Sequence, residues 1–185
     1  MKYRLTYDDI QLVPQFSNIK SRTQINLNTL VSRRYGLINP IVASPMDTVC
    51  GEEMAMKMFT MGGVGCIHRF MTIEEQCNIV KNLKYKIYGE GFGGPFEDWG
   101  VMYDDWHGTL KQIPIAAAVG ANGDYYERAQ KLVKAGADII LIDVAHGHHA
   151  NVCEAIGRIK SIDPYIDVIA GNIATAKAAQ DLEDW

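Results

Sequence analysis

The sequence predicts an α/β fold in which buried parallel strands alternate with amphipathic helices. Five short runs rich in Ile, Val and Ala have the composition of strands that are buried on both faces. A stretch with the apolar spacing of a helix follows each run. This repeated β-α order implies parallel strands joined by helical crossovers. The predicted strands are residues 41–43, 64–67, 115–119, 139–142 and 168–170.

The first two predicted helices are marked by apolar spacing and by a capping signal. Met54, Met58 and Met61 recur at intervals of four and three residues after the first strand, as on one face of a helix. After the second strand, Thr72 and Glu75 have the spacing of a capping box, in which each side chain binds the other residue's backbone N–H. A helix is therefore expected to begin just after Thr72.

The remaining helices have recognisable ends. The third is predicted over residues 124–134 and ends near Gly136, because glycine readily adopts the left-handed conformation that terminates helices. The fourth closes before Pro164, which excludes further helix. A fifth is expected to begin near Thr175.

The spacing of the strands favours a closed barrel. Strand starts recur about every 23 to 29 residues, the unit length of a (β/α)8 TIM barrel, except for a gap twice as long between the second and third strands. Residues 85–112 fill that gap, are rich in glycine and contain Trp99 and Trp106, so they are predicted to form an inserted loop. Residues 1–185 are thus interpreted as one domain that supplies about the first five β/α units.

Composition narrows the classes of partner. The 185 residues are 48% hydrophobic and 22% charged, with a formal net charge of −4, which is ordinary for one globular domain. The sequence has no cluster of basic residues that would favour binding to nucleic acid. No apolar segment is long enough to cross a membrane. A cytoplasmic location is therefore expected. The four cysteines match no metal-binding spacing and are predicted to be reduced, mostly buried thiols.

Several polar residues follow directly after predicted strands, where parallel α/β folds carry their sites. Ser44 and Met46 are candidate ligand contacts, or else a turn serine and a core methionine. Asp143 either accepts hydrogen bonds from sugar hydroxyls or caps the helix near His149. Asn172 is a candidate contact or a turn asparagine.

Other residues near the strand ends have competing interpretations. His68 and Arg69 either contact an anion or pair with Glu74 or Glu75. Asp47 is a weak candidate, since it could cap the first helix. Three imidazoles within four residues resemble a metal site, but no fourth ligand stands at a recognisable spacing, so zinc is not predicted. These imidazoles belong to His146, His148 and His149.

Six motifs carry a resemblance to one family of enzymes. They are TYDDIQLVP from residue 6, IVASPMDTV from 41, GGVGCIHRFMTIEEQ from 62, IAAAVG from 115, AGADIILIDVAHGH from 135 and VIAGNIAT from 168. In this order they resemble the first five β/α units of IMP dehydrogenase, a family whose barrel GMP reductase shares. Pro45 and the His146-Gly147 pair are more similar to the dehydrogenase.

The resemblance implies an activity and a set of contacts. In that family a cysteine adds to C2 of IMP, hydride passes to NAD, and the covalent intermediate is hydrolysed to XMP. The resemblance places Ser44, Met46 and Asn172 on IMP. It places five further residues on NAD: Asp143, Ala145, His146, Gly120 and Asn122.

Two departures from the family pattern qualify the expected activity. The family usually carries a pair of regulatory CBS modules between the second and third units, and residues 85–112 are too few for them, because a domain needs at least about 50 residues. The family's cysteine loop, potassium site and flap lie beyond residue 185, and none of the four cysteines present stands in the nucleophile's motif. We therefore expect no catalytic nucleophile within this chain.

The resemblance leaves the partners and the exact function open. It implies a homotetramer for the complete enzyme, and it leaves open whether a second polypeptide completes the barrel. The alternatives are GMP reductase, which converts GMP to IMP with NADPH, and a non-catalytic fragment that binds a nucleotide or takes part in assembly.

Overall fold

Five parallel strands form a half barrel whose strand order follows the chain. The computed structural model describes residues 6–88 and 113–185. A short hairpin, β1 (Thr29–Leu30) and β2 (Gly36–Leu37), precedes the sheet. Each sheet strand pairs in parallel with the next along the chain, which confirms the predicted fold class. The strands are β3 (Val42–Ala43), β4 (Val64–Ile67), β5 (Ala116–Val119), β6 (Ile139–Asp143) and β7 (Asp167–Gly171).

A helix follows each strand of the sheet, as predicted. Thr72 and Glu75 form the expected capping box before the second helix, with Thr72 N donating to Glu75 Oε2 at 2.9 Å and Glu75 N to Thr72 Oγ1 at 3.2 Å. Gly136 ends the third helix at φ 105°. The helices are α1 (Glu52–Thr60), α2 (Ile73–Tyr88), α3 (Tyr125–Ala135), α4 (Ala150–Lys160) and α5 (Ala176–Glu183).

The inserted segment begins later than predicted. α2 continues to Tyr88, so residues 85–88 are helical rather than part of a loop. The rest of the predicted insertion, residues 89–112, lies outside the described residues.

The core lies where the central strands meet the helices. All of β5 and most of β6 are buried, as expected for parallel strands covered on both faces. A Cβ atom on Gly65 would lie 2.6 Å from the Cα atom of Ala55. Glycine in β4 therefore allows the backbone of α1 to pack directly against the sheet.

The outer strands are less covered than the central ones. Ile41 and Val42 at the β3 edge are about half exposed, and the N-terminal segment carries the still more exposed Leu12 (98%) and Phe16 (96%). Among the described residues, β3 and β7 each have a strand partner on one side only. An unpaired apolar edge is a surface on which further strands can pair.

The N-terminal hairpin is anchored at the amino end of β7, a feature that the sequence did not reveal. Asp167, the first residue of β7, has a side chain only 8% exposed. Its carboxylate accepts hydrogen bonds from Ser32 Oγ at 2.6 Å, Arg34 N at 3.1 Å and Arg34 Nη1 at 2.6 Å. The hairpin therefore lies at the opposite end of the sheet from the carboxyl ends of the strands.

A second carboxylate adds to this anchor. Asp138, just before β6, accepts hydrogen bonds from Lys84 Nζ at 2.9 Å and from Ile115 N at 2.9 Å. Burial and the neighbouring carboxylates of Asp138 and Asp167 raise the pKa of Tyr35 to about 12, so the phenol stays protonated near neutral pH. Asp138 thus joins the amino ends of β5 and β6, while Asp167 joins the amino end of β7 to the hairpin.

Replacing the anchoring carboxylate should destabilise the fold. In Asp167→Ala, Arg34 and Ser32 lose a shared acceptor, and we expect the free energy of unfolding to fall by about 2 to 3 kcal/mol, the cost of losing charged hydrogen bonds in a buried place. Urea denaturation of the chain measures this. Glu127→Ala is the control, because it removes only an exposed ion pair with Lys131 and should cost less than about 0.5 kcal/mol. Equal losses in both variants would contradict the anchoring role.

Candidate functional site

The carboxyl ends of the five parallel strands meet at one edge of the half barrel, and the candidate residues follow them. Parallel strands place their carboxyl ends together, so loops that are distant in sequence become neighbours. We call this edge the mouth and define it by the first residues after β3, β4, β5, β6 and β7. These residues are Ser44, His68, Gly120, Val144 and Asn172.

Backbone hydrogen bonds tie the loops after β6 and β7 together. Asn172 N donates to Val144 O at 2.7 Å, Val144 N donates to Gly171 O at 3.0 Å, and Gly147 N donates to Asn172 O at 2.7 Å. A Cβ atom on Gly147 would lie 2.9 Å from Asn172 O, so only glycine permits this approach. The loop that carries Ala145 and His146 is therefore held against Asn172, while all three of these residues remain exposed.

Asp143 presents a free carboxylate at the end of β6. It is half-buried, and its carboxylate has no hydrogen-bond partner among the residues that the structure describes. The alternative interpretation as a cap of α4 is wrong, because His149 Nδ1 accepts the hydrogen bond from Asn151 N at 3.1 Å. Burial is the main cause of the raised pKa of the neighbouring Cys66 thiol, and Cys50 and the negative charge of Asp143 raise it further. A free carboxylate in this position can accept hydrogen bonds from ligand hydroxyls.

The neighbouring histidines turn towards different elements. His148 Nε2 lies 2.9 Å from Asp181 Oδ2 in α5, while His149 caps α4 and His146 is exposed. Within residues 6–88 and 113–185, no group of three or more His, Cys, Asp and Glu side chains is arranged to hold a metal ion. The imidazoles of His148 and His149 thus attach the β6 loop to α5 and α4.

The loop after β3 exposes both of its candidate residues. Ser44 is exposed, and its hydroxyl has no partner in the described part of the chain. Met46 is 51% exposed, so its interpretation as a core methionine is wrong. Asp47 does not cap α1, whose first turn follows Gly51 without a side-chain cap. This loop therefore offers a hydroxyl and a thioether to the mouth.

A buried amide holds the ends of β4 and β5, and sequence reasoning missed it. Gln76 in α2 is fully buried, and its Nε2 donates to Ile67 O at 3.3 Å and Ala118 O at 2.9 Å. Its Oε1 accepts from Arg128 Nη1 at 2.8 Å, and Arg128 Nη2 binds Asp124 Oδ2 at 2.7 Å. The only signal in the sequence was a polar residue beside the apolar face of a helix. Without the fold, that position does not show whether the side chain is buried or exposed.

Arg69 and Gly120 lie together at the ends of β4 and β5. Of the two alternatives for His68 and Arg69, pairing with glutamate is not found among the described residues. Glu75 binds Thr72, and His68 Nδ1 accepts from Phe70 N at 3.2 Å. The Arg69 guanidinium instead lies over the Phe70 ring, 5.1 Å from its centroid. A Cβ atom on the buried Gly120 would lie 3.8 Å from Arg69 Cζ.

Asn122, the other candidate after β5, is already engaged. Its Oδ1 accepts a hydrogen bond from Asn151 Nδ2 at 2.6 Å, which links the β5 loop to α4. Its amide NH2 remains available at the exposed side.

All four cysteines are free thiols, and three are buried, as predicted. Burial raises the pKa of Cys50 to about 11 and also raises those of Cys66 and Cys77. Since the thiolate is the nucleophile, these three thiols are not activated at neutral pH. The half-buried Cys153 lies within α4.

Comparison with known proteins identifies the family. A model of the IMP dehydrogenase / GMP reductase domain matches residues 4–185. The chain belongs to the IMP dehydrogenase / GMP reductase family. The resemblance carried by the six motifs is thereby confirmed.

Some relatives in this family are named as IMP dehydrogenase and others as GMP reductase. The chain is 31% identical to an inosine-5'-monophosphate dehydrogenase of Nitrosopumilus maritimus, over 98% of the chain and 59% of that relative. It is 34% identical to another of Borreliella burgdorferi, over 98% of the chain and 51% of the relative. A GMP reductase of Leishmania major is 28% identical, over 97% and 59%. The chain thus spans between half and three fifths of the length of these three family members.

In the part of the chain that the structure describes, no helix is long and apolar enough to cross a bilayer.

Replacing the buried amide should weaken the fold around the mouth. In Gln76→Leu, the Arg128 guanidinium loses a buried acceptor and two strand-end carbonyls lose a donor, so we expect the free energy of unfolding to fall by about 2 to 4 kcal/mol. Chemical denaturation measures the change. The exposed Gln130 on α3 offers a matched control, and Gln130→Leu should shift stability by less than about 0.5 kcal/mol. Indistinguishable midpoints for the two variants would show that Gln76 is dispensable.

Proposed function

We propose that this chain contributes IMP-binding and NAD-binding residues to an IMP dehydrogenase, which oxidises IMP to XMP. The observation that carries the proposal is the free Asp143 carboxylate at the end of β6, beside the exposed Asn172. Membership of the family supports the reaction class, and two of the relatives described above are named as the dehydrogenase.

The residues of the β6 loop fit the cofactor. NAD supplies the hydride acceptor when it is bound, and a carboxylate at a strand end can accept hydrogen bonds from both hydroxyls of a ribose. In this proposal Asp143 holds the nicotinamide ribose, and the exposed Ala145 and His146 line the same subsite. Gly120 lets the cofactor approach the β5 backbone, and Asn122 offers it the amide donors that Asn151 leaves unused.

Three residues are assigned to the purine nucleotide. The Ser44 hydroxyl and the Asn172 amide can each donate and accept hydrogen bonds, which suits the edge of a base or a ribose. The exposed Met46 thioether can pack on the flat face of the purine. These side chains come from β3 and β7, so IMP would lie across the mouth.

The catalytic nucleophile and the potassium site are proposed to lie on other residues. The raised pKa values of three thiols do not suit a nucleophile. Among the described residues, β3 and β7 are each paired on one side only, which leaves room for further strands from this polypeptide or a second one. A homotetramer and a cytoplasmic location remain predictions.

The absence of CBS modules is also part of the proposal. The alignment with the N. maritimus relative spans 280 positions, more than the 185 residues of this chain. Alignment with the B. burgdorferi relative spans only 206 positions. Relatives therefore differ in how much additional sequence they carry within the aligned region. The short alignment with the B. burgdorferi relative supports a short segment in this chain in place of the modules.

GMP reductase is the second candidate, because enzymes of that name from Leishmania major and Leishmania donovani also match 97% of the chain. Spectrophotometric assays of the protein as its gene encodes it, with IMP plus NAD and with GMP plus NADPH, separate the two. Turnover of the first pair is expected, and turnover of only the second pair would overturn the choice. Saturable binding without turnover of either pair would favour a non-catalytic nucleotide-binding protein.

Asp143→Asn should weaken NAD binding at least tenfold and leave IMP binding unchanged, because charged hydrogen bonds to the ribose hydroxyls are lost. Isothermal titration calorimetry measures both dissociation constants. The matched control is Asp184→Asn, a neutralisation at the exposed end of α5, which should change neither constant. An unchanged affinity for NAD in Asp143→Asn would remove Asp143 from the cofactor site.

A further inference from the structure

The guanidinium of Arg69 contains the one buried side-chain nitrogen or oxygen atom that lacks a hydrogen-bond partner in the described parts of the chain. This atom is Nε. Buried polar atoms in folded proteins nearly always have a partner, and an unsatisfied one in a charged group carries the larger cost. The guanidinium lies over the Phe70 ring, but an aromatic ring does not take the place of a hydrogen-bond acceptor for Nε. The missing partner is therefore an acceptor.

The position of Arg69 indicates where that acceptor comes from. The residue stands two positions after β4, and its Cζ and Nη1 each lie 3.8 Å from the point where a side chain on Gly120 would begin. Glycine thus leaves space beside the guanidinium at the end of β5. Gln76 binds the carbonyls of Ile67 and Ala118, each two residues before this pair, so the spacing of the two strand ends is held by a buried contact.

The chemistry of the guanidinium defines the class of ligand. Its planar set of N–H donors matches the oxygens of phosphate and carries a permanent positive charge. We propose that Arg69 recognises a phosphate or pyrophosphate group of the nucleotide that binds at the mouth, and that Gly120 provides the room for this group. This inference rests on the proposed nucleotide site and adds the residue that binds its anionic part. IMP would present a phosphate, and NAD a pyrophosphate.

Substitutions at two positions test the pair from opposite sides. Arg69→Gln removes the charge and the planar donor set, while Arg69→Lys keeps the charge alone. Gly120→Ala leaves the protein unstrained, since its new methyl group would meet its nearest atoms at 3.7 to 3.8 Å, but it fills the space beside the guanidinium. Gly157→Ala, within α4 and with its nearest contact at 3.9 Å, is the matched control.

Calorimetric titration of each variant with IMP and with NAD gives the test. We expect Arg69→Gln to weaken the dissociation constant of one of these ligands at least tenfold, with partial recovery in Arg69→Lys and a similar loss in Gly120→Ala. The ligand that is affected identifies the phosphate of IMP or the pyrophosphate of NAD as the group bound. Gly157→Ala should bind both ligands as the unmodified chain does.

Other outcomes separate this inference from the proposed function. Unchanged constants for both ligands in Arg69→Gln would overturn the inference and leave the function standing, and so would a large loss of thermal stability without a change in binding. If the unmodified chain binds neither IMP nor NAD, the proposed function fails. Titration with inorganic pyrophosphate then tests the role of Arg69 by itself. Binding to the unmodified chain that is lost in Arg69→Gln supports the inference, and no binding to the unmodified chain overturns it.

Discussion

The buried amide of Gln76 is the contact on which the arrangement of the mouth depends. By donating to carbonyls of two neighbouring strands, it sets the relative position of the ends of β4 and β5. Arg128 satisfies the remaining acceptor and extends the network to α3. A fully bonded buried network of this kind favours one arrangement over its neighbours. The loops that carry Arg69 and Gly120 therefore start from a defined framework.

Backbone hydrogen bonds, rather than a buried side chain, hold the other side of the mouth. The loops after β6 and β7 exchange backbone hydrogen bonds directly, and Gly147 is the residue that lets them approach. These contacts use backbone atoms, so they leave the side chains of Asp143 and Asn172 without hydrogen-bond partners among the described residues. At the amino end, Asp167 and Asp138 secure the hairpin and the strand starts. Stability and recognition thus occupy opposite ends of the same strands, as is usual in barrels of this kind.

The sequence predicted the elements better than the contacts between them. Strands and helices follow from apolar periodicity, and the Thr72 capping box and the Gly136 terminus follow from local chemistry, so these were recovered nearly to the residue. The hairpin anchored by Asp167 and the Gln76 network depend on partners more than 40 residues away in at least one of their bonds. No local sequence pattern predicts such bonds. For the same reason the sequence left the Asp143 cap and the Arg69 ion pair open, and the structure decided against both.

The central claim is that the loops after the five strands form one nucleotide site. Hydrogen–deuterium exchange of the chain with and without IMP and NAD tests it most directly, because bound ligand slows local opening of the backbone it contacts. The account predicts slower exchange in residues 44–50, 68–72, 120–124, 143–149 and 172–175. Residues 29–37 at the amino end should exchange as before. Unchanged exchange in all five loops, or protection confined to the amino end, would contradict it.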